Sequence, residues 1–351
     1  MGVLFLAGIA CLILGLAAPA SAHITVLLYH RFDEDRYPTT TTSSAQFEQQ
    51  LSYLKLNGYT VMSMDQLAES LGGRRSIPEK GVVITIDDGF ISEYDRAVPL
   101  LKKYGCPFTL FVFTRGVGAE GYVTWQQLRE LESRGATVGC HTDTHPRLIN
   151  MAVKDMARET VGSKQILEKN LGHPVHYFAY PFGQYDERVR LVAKKAGFRL
   201  MMSSDPGSVG PGTEVDRIPR QAIVGAEMSM KDFIRKLETP PLAVTRRTPP
   251  CGTLPSSTIH EVSVTIKEPG LYDPSQFSMF LSEKGRLDAR FDRMNGVLSF
   301  KGPVHVTRKT NRIIVSARRK SDGLFALDAY LIVLPGTWEG MKYTMRRDGR
   351  W

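Results

Sequence analysis

Over the first two thirds of the chain, apolar residues follow two rhythms in turn. Short unbroken runs alternate with stripes in which every third or fourth position is apolar. His23 to Tyr29 is a run, and Phe47, Leu51 and Leu54 form the first stripe, closed by Asn57-Gly58. The runs read as buried strands and the stripes as amphipathic helices. Strand Val82 to Ile86 follows, then helix Tyr94 to Tyr104 stopped by Gly105, then strand Phe108 to Phe113. Trp125, Leu128 and Leu131 mark a helix closed by Gly135 ahead of a short strand at Val138. The series continues with helix Val153 to Leu171, strand Val175 to Tyr180, helix Glu187 to Ala196, strand Phe198 to Ser203, strand Arg217 to Val224 and a helix at Lys231 to Leu237. Repeated strand-helix units predict a parallel sheet, and their number suits a barrel with functional groups at the carboxyl ends of the strands.

Around Thr239-Pro240-Pro241 and Arg247-Thr248-Pro249-Pro250 the pattern changes, and residues 241–257 read as a Pro-rich linker. Beyond it, Val262, Val264 and Ile266 alternate with Ser263, Thr265 and Lys267, and later runs are separated by Gly, Asp and Asn turns. Residues 258–351 therefore predict a small antiparallel β-sandwich. The expected fold class is α/β, an irregular (β/α) barrel over residues 23–240 with a C-terminal sandwich.

Val3 to Ala18 carries no charge and leads into Ala20-Ser21-Ala22, an A-x-A cleavage pattern. Residues 1–22 read as a secretory signal peptide, the alternative being an uncleaved membrane anchor. Export implies the periplasm, the cell surface or the medium. Cleavage leaves Cys106, Cys140 and Cys251, an odd set that forms no disulfide framework. The net charge is +9, and Pro241 to Trp351 holds 18 Lys and Arg against 10 Asp and Glu, so nearly all of the excess lies in the second unit. Such a surface suits an acidic polymer, an anionic envelope surface or an export-machinery protein, or is simply a solvated basic face. No nucleic-acid motif accompanies it.

Two stretches carry chemistry. Thr85-Ile86-Asp87-Asp88-Gly89-Phe90 ends a buried strand in two carboxylates, and His141-Thr142-Asp143-Thr144-His145 follows another strand with two imidazoles four apart. Alternation on an extended strand gives Asp87 and Asp88 different directions unless the chain bends at Gly89. The two histidines converge on one ion if their loop enters a helical turn. One carboxylate and two histidines form a metal site with open positions, which leaves the other carboxylate beside it as a base. His30, Asp87, Asp88, His141 and the Pro181 loop all fall at predicted strand ends. Tyr29 and Trp125 are candidates for stacking on a sugar or for the core.

These two stretches resemble the T-[FI]-D-D-G and H-[ST]-x-x-H motifs of the polysaccharide deacetylase (NodB homology) family, carbohydrate esterase family 4. The likeness extends over roughly residues 23 to 240. Within the family, Leu28-Tyr29-His30-Arg31-Phe32 and Thr124-Trp125 are similar to features of poly-β-1,6-N-acetylglucosamine deacetylases. The resemblance implies a metal-dependent hydrolase that removes N-acetyl groups from N-acetylglucosamine units of an extracellular or envelope polysaccharide. A carbohydrate O-acetyl esterase and a non-catalytic carbohydrate-binding export component are the alternatives. Asp88, His141 and His145 would hold the cation, with zinc ahead of cobalt, nickel or iron. Asp87 would be the general base and His30 the general acid.

Phe178-Ala179-Tyr180-Pro181-Phe182-Gly183 resembles the third motif, R-x-P-[YF], with the Phe182 N–H as oxyanion donor and Tyr180 and Pro181 facing substrate. The motif's arginine is missing, and Arg217 or Arg220 would orient Asp87 in its place. Asp143 would accept a hydrogen bond near the ligands, and His173 and His176 would serve turns and packing. His23, made amino-terminal by cleavage, is a remote copper candidate.

Overall fold

The structure is a computed structural model and describes residues 22–225, 227–334 and 336. The expected signal peptide falls on residues 1–22, so all but its last residue lies outside the described residues. No helix among the described residues is long and apolar enough to cross a membrane.

Eight parallel strands form an incomplete barrel: β1 (His23–Tyr29), β2 (Thr60–Met62), β3 (Lys80–Asp88), β4 (Thr109–Val112), β5 (Thr137–Cys140), β6 (Tyr177–Ala179), β7 (Leu200–Met202) and β8 (Gln221–Ala222). Their order is β8-β1-β3-β4-β5-β6-β7, with β2 also paired to β3. The two-residue period of the strands sorts their side chains into two cores. Ile24, Val26, Val83, Phe111, Tyr177, Ala179 and Met202 fill the barrel interior. Leu27, Tyr29, Ile84, Ile86, Val112, Cys140, Phe178 and Tyr180 pack outward against the helices. Asp87 continues the inward series of Val83 and Thr85. Gly139, on β5, lies under the Phe111 ring, and a Cβ there would come within 2.4 Å of it.

The expected strand at Arg217 to Val224 shrinks to the two residues of β8, because Arg217 and Arg220 are drawn into ion pairs and Ile218 bridges to Met202. The long helix expected from Val153 to Leu171 is continuous but carries a π-turn at Arg158–Gly162, and a second π-turn, Glu93–Ala97, opens the helix after β3.

The second unit is a sandwich of nine strands: β9 (Val244–Thr248), β10 (Gly252–Thr253), β11 (Thr258–Ile266), β12 (Tyr272–Leu281), β13 (Gly285–Leu287), β14 (Arg290–Asp292), β15 (Val297–His305), β16 (Thr310–Arg319) and β17 (Phe325–Val333). The sheets run β9-β11-β15-β14 and β10-β17-β16-β12-β13 around one shared apolar core. Two features differ from expectation. Residues 241–257 are not a free linker, since β9 and β10 fall within them. Both are edge strands, where the neighbouring prolines cost no ladder bond. The sandwich is also not wholly antiparallel, because β10 pairs with β17 in parallel. Leu331 and Val333 of β17 join the outer core of the barrel, so the two units share apolar packing. Cys106, Cys140 and Cys251 are free thiols.

Gly139→Ala forces a methyl against the buried Phe111 ring. The expected loss is about 1–3 kcal/mol of unfolding free energy, read as a lower denaturant midpoint with unchanged slope. An unchanged midpoint would show that the strand packing is looser than described.

Candidate metal and catalytic site

The carboxyl-end rim of the barrel gathers the residues that the two motifs singled out. Asp87 points into the lumen, as the strand period requires. Asp88 would point outward if the strand continued, yet its φ of 91° turns it back across the rim, and Gly89 follows at φ 79°. The bend thus begins on an aspartate as well as on the glycine. Positive φ on a side-chain-bearing residue is unfavourable and needs surrounding structure to hold it. Of the six such residues described, Asp88, Thr142, His145 and Phe182 lie at this rim.

The histidines converge by a route other than the expected helical turn. Residues 141–147 are non-helical, with Thr142 at φ 74° and His145 at φ 56°. Thr142 Oγ1 accepts the His145 N–H at 3.0 Å, which staples the bend. Glu159, on the π-turn of the neighbouring helix, accepts the N–H groups of Asp143 at 3.0 Å and Thr144 at 2.8 Å and the Thr144 hydroxyl at 2.7 Å. No feature of the sequence marked Glu159, because its role depends on a π-turn turning the side chain toward loop residues 15 and 16 positions earlier.

Asp88 Oδ1 lies 3.5 Å from His141 Nε2 and 3.3 Å from His145 Nε2, and the two nitrogens are 3.2 Å apart. Ligand bonds of about 2.0–2.1 Å place neighbouring ligand atoms roughly 3.0–3.4 Å apart, so this trio fits a divalent cation. The His141 Nδ1–H donates to the Ala179 carbonyl at 2.7 Å, which leaves the Nε2 lone pair facing the trio. Asp143 is not a fourth ligand, since its carboxylate accepts from Thr114 and pairs with Arg115.

Asp87 is held apart from this set. Arg220, with no exposed side-chain surface, grips both of its oxygens at 2.7 Å. Burial alone would raise the Asp87 carboxyl, but Arg220, then His141 and His30, outweigh it and hold it at about 2. The stability this contributes is present above the ordinary value of 3.8 and is lost as pH falls toward 2. Asp88 behaves oppositely, since burial and the Asp87 charge push it up to about 7. Burial lowers His141, and burial together with His141 lowers His145 to about 3. A cation held by the trio favours the ionised form of Asp88 and so reverses its shift.

His30 follows β1 on the same rim. Its Nδ1 is buried without a hydrogen-bond partner among the described residues, and burial lowers it to about 4 against the pull of Asp87. Glu93, on the other π-turn, is buried near the Gly89-Phe90 backbone, and burial raises its carboxyl well above the usual range.

Several expected site residues lie elsewhere. Arg217 pairs with Glu214 and Asp328 and donates to the Ala329 carbonyl at 3.2 Å, so it does not orient Asp87. Tyr29 is buried among Phe32 and Phe47 and donates to Gln50 Oε1 at 2.8 Å. Tyr180 is buried and donates to the Asp216 carbonyl at 2.8 Å. Pro181 is buried in its turn, and Trp125 packs against the outer core. Core packing, which takes the outward side of each strand, claims Tyr29 and Tyr180. His23 is buried with its Nε2 3.0 Å from the Leu237 carbonyl.

Other aromatic rings border the rim. Phe182, 45% exposed, has its ring centroid 4.7 Å from that of His145 and 4.0 Å from the Arg147 guanidinium carbon. Phe113 stands 5.7 Å from His145, Tyr122 5.2 Å from Phe113, and Phe90 5.1 Å from Tyr122.

The parallel barrel has the NodB architecture, and its rim combines a two-histidine, one-carboxylate trio with a separate, arginine-gripped carboxylate. Residues 74–201 match the model of the polysaccharide deacetylase family. IcaB from Ammonifex degensii is 29% identical, with a TM-score of 0.56 over 62% of this chain and 98% of that one. The Streptococcus pyogenes deacetylase PplD, solved with acetate, is 26% identical, with a TM-score of 0.58 over 62% of this chain and 99% of that one. The poly-beta-1,6-N-acetyl-D-glucosamine N-deacetylase of Escherichia coli (strain K12) is 26% identical over 249 residues, 59% of this chain and 36% of that protein. The chain thus spans about a third of the length of that curated relative.

A proton and a cation compete for Asp88, while burial lowers both histidines and so disfavours their protonated forms. Apparent affinity for zinc or cobalt should therefore climb as pH rises toward about 7 and then level off. Titration calorimetry across that range checks this, and an affinity independent of pH below 7 would contradict it.

Proposed function

We propose that the chain is a divalent-metal-dependent polysaccharide deacetylase that removes N-acetyl groups from N-acetylglucosamine units of an envelope or extracellular polymer. The observation that carries the reading is the separation of roles between two adjacent aspartates, Asp88 among the histidines and Asp87 gripped by Arg220. The N-deacetylase names of the E. coli and other relatives support the amide as the bond cleaved. The uncharged run Val3 to Ala18 and the A-x-A pattern after it support export.

Asp88, His141 and His145 would hold the cation, and their imidazole and carboxylate donors suit zinc, cobalt, nickel or iron. When bound, the ion supplies Lewis acidity toward the acetyl carbonyl and makes a water more acidic. Asp87 takes a proton from the attacking water as the water oxygen bonds to the acetyl carbon. Arg220 keeps Asp87 ionised and fixes its two oxygens, so that it is ready to accept at neutral pH. The Phe182 N–H, presented by a left-handed turn, serves the developing oxyanion. His30 protonates the leaving nitrogen, the carbon–nitrogen bond breaks, and acetate and a free amine depart. Because His30 is neutral at rest, the proton that Asp87 takes from the water must pass on to His30 before His30 delivers it to the leaving nitrogen. Phe182 and the Phe113 and Tyr122 rings offer apolar faces for sugar rings, in place of the expected Tyr29.

Acetate release from a panel of N-acetylglucosamine oligomers with added zinc, cobalt or nickel tests the reading, with His141→Ala as the inactive control. Full activity in that variant would end it. Asp87→Asn should keep its metal and lose roughly 10²–10⁴ in kcat, whereas Asp88→Asn should lose the metal as well. Normal metal binding by Asp88→Asn would reverse the two roles. His30→Ala should slow amide cleavage more than ester cleavage, because an alcohol leaves with less help than an amine. Equal losses on both would remove His30 as the acid.

A further inference from the structure

The grip of Arg220 on Asp87 is fixed from behind. Arg220 Nε donates to the Ser203 carbonyl at 2.7 Å, Nη1 to Thr85 Oγ1 at 3.2 Å, and its backbone N–H to the Asp205 carbonyl at 3.0 Å. The segment that follows β7 therefore sets where the guanidinium stands. Asp205 is fully buried in this segment, and its carboxylate has two partners among the described residues. Oδ2 accepts the Tyr185 hydroxyl. Oδ1 accepts Arg312 Nε at 2.8 Å, and Arg312 is the one cation paired with Asp205 among the described residues.

Arg312 does not belong to the barrel. It stands on β16 of the sandwich, 107 residues further along the chain. Tyr185 is met from the same side, where its hydroxyl accepts the Leu331 N–H at 3.4 Å and the Cys251 thiol at 3.5 Å. Leu331 and Val333 pack into the outer core of the barrel beside these groups. The support of the catalytic arginine is thus closed by residues of the second unit.

We propose that Arg312 is a positioning residue for the reaction, through which the sandwich holds the Ser203–Arg220 segment so that Arg220 meets both oxygens of Asp87. A carboxylate with no exposed surface cannot turn to water when its cation is removed. The relief open to Asp205 is outward movement of its segment, and that movement carries the Asp205 carbonyl away from the Arg220 N–H. A displacement of about 1 Å at such a support lowers turnover by as much as a hundredfold. The sandwich therefore takes part in catalysis by completing the site's support, whatever its basic face binds.

The kinetic arm rests on the deacetylase reading, and an exchange arm does not. In the full-length chain, Arg312→Ala should lower kcat for acetate release by about tenfold to a hundredfold, with KM and bound zinc unchanged. Hydrogen exchange should quicken about tenfold or more over residues 203–221 and stay unchanged over residues 137–145. Asp205→Asn added to Arg312→Ala should recover part of both effects, because the stranded charge is gone. Arg247→Ala is the control: it breaks another contact of the same seam, to Asp328 and Glu214, without touching Asp205, and should leave kcat and the exchange of residues 203–221 unchanged. Arg312→Gln replaces Arg312→Ala if the alanine variant does not fold. Wild-type kcat and wild-type exchange in the Arg312 variant would overturn the proposal, as would equal effects from Arg247→Ala. If the wild-type chain releases no acetate, the deacetylase reading fails and the exchange comparison still decides the role of Arg312.

Discussion

The buried pairing of Arg220 with Asp87 is the constraint on which the site depends. Both side chains are almost without exposure, so neither charge has water to fall back on, and each is tolerable only because the other is there. The two-point grip fixes the carboxylate in angle as well as in position. It also separates two chemically identical neighbours. Asp87 stays ionised at the floor of the rim, and its charge helps raise Asp88 beside it, which makes Asp88 a group that gains by receiving a cation.

Backbone strain serves the same end. Four side-chain-bearing residues with positive φ, Asp88, Thr142, His145 and Phe182, lie on three different rim loops. Such conformations cost of order 1–3 kcal/mol each, and local bonds offset them. Thr142 staples His145, Glu159 holds the Asp143 and Thr144 amides, and the Ala179 carbonyl fixes the His141 ring. The rim is therefore shaped before any ion or sugar arrives, as a site that works by positioning requires.

Much of this was legible in the chain. Alternating runs and stripes predict the parallel barrel, and the strand period predicts two divergent aspartates unless the chain bends after them. The same period explains an error, because the alternation that turns His30 toward the lumen turns Tyr29 outward, and Ala179 and Tyr180 divide in the same way. Arg220 was one of two candidates, and only the ion pairs separate it from Arg217. Glu159 and the Arg312–Asp205 pair were beyond reach, since one depends on a π-turn and the other on how two units dock. Neither leaves a periodic mark in sequence. The prolines near residue 249 read as a linker because the edge strands between them are too short to show alternation.

The most direct test of the account is anomalous diffraction at the zinc absorption edge from crystals of the zinc-loaded chain. The account predicts a single strong peak within ligand distance, about 2 Å, of Asp88, His141 and His145, with the Asp87 carboxylate still held by Arg220. A peak that draws Asp87 into its coordination, or one that lies away from the three residues, would contradict it.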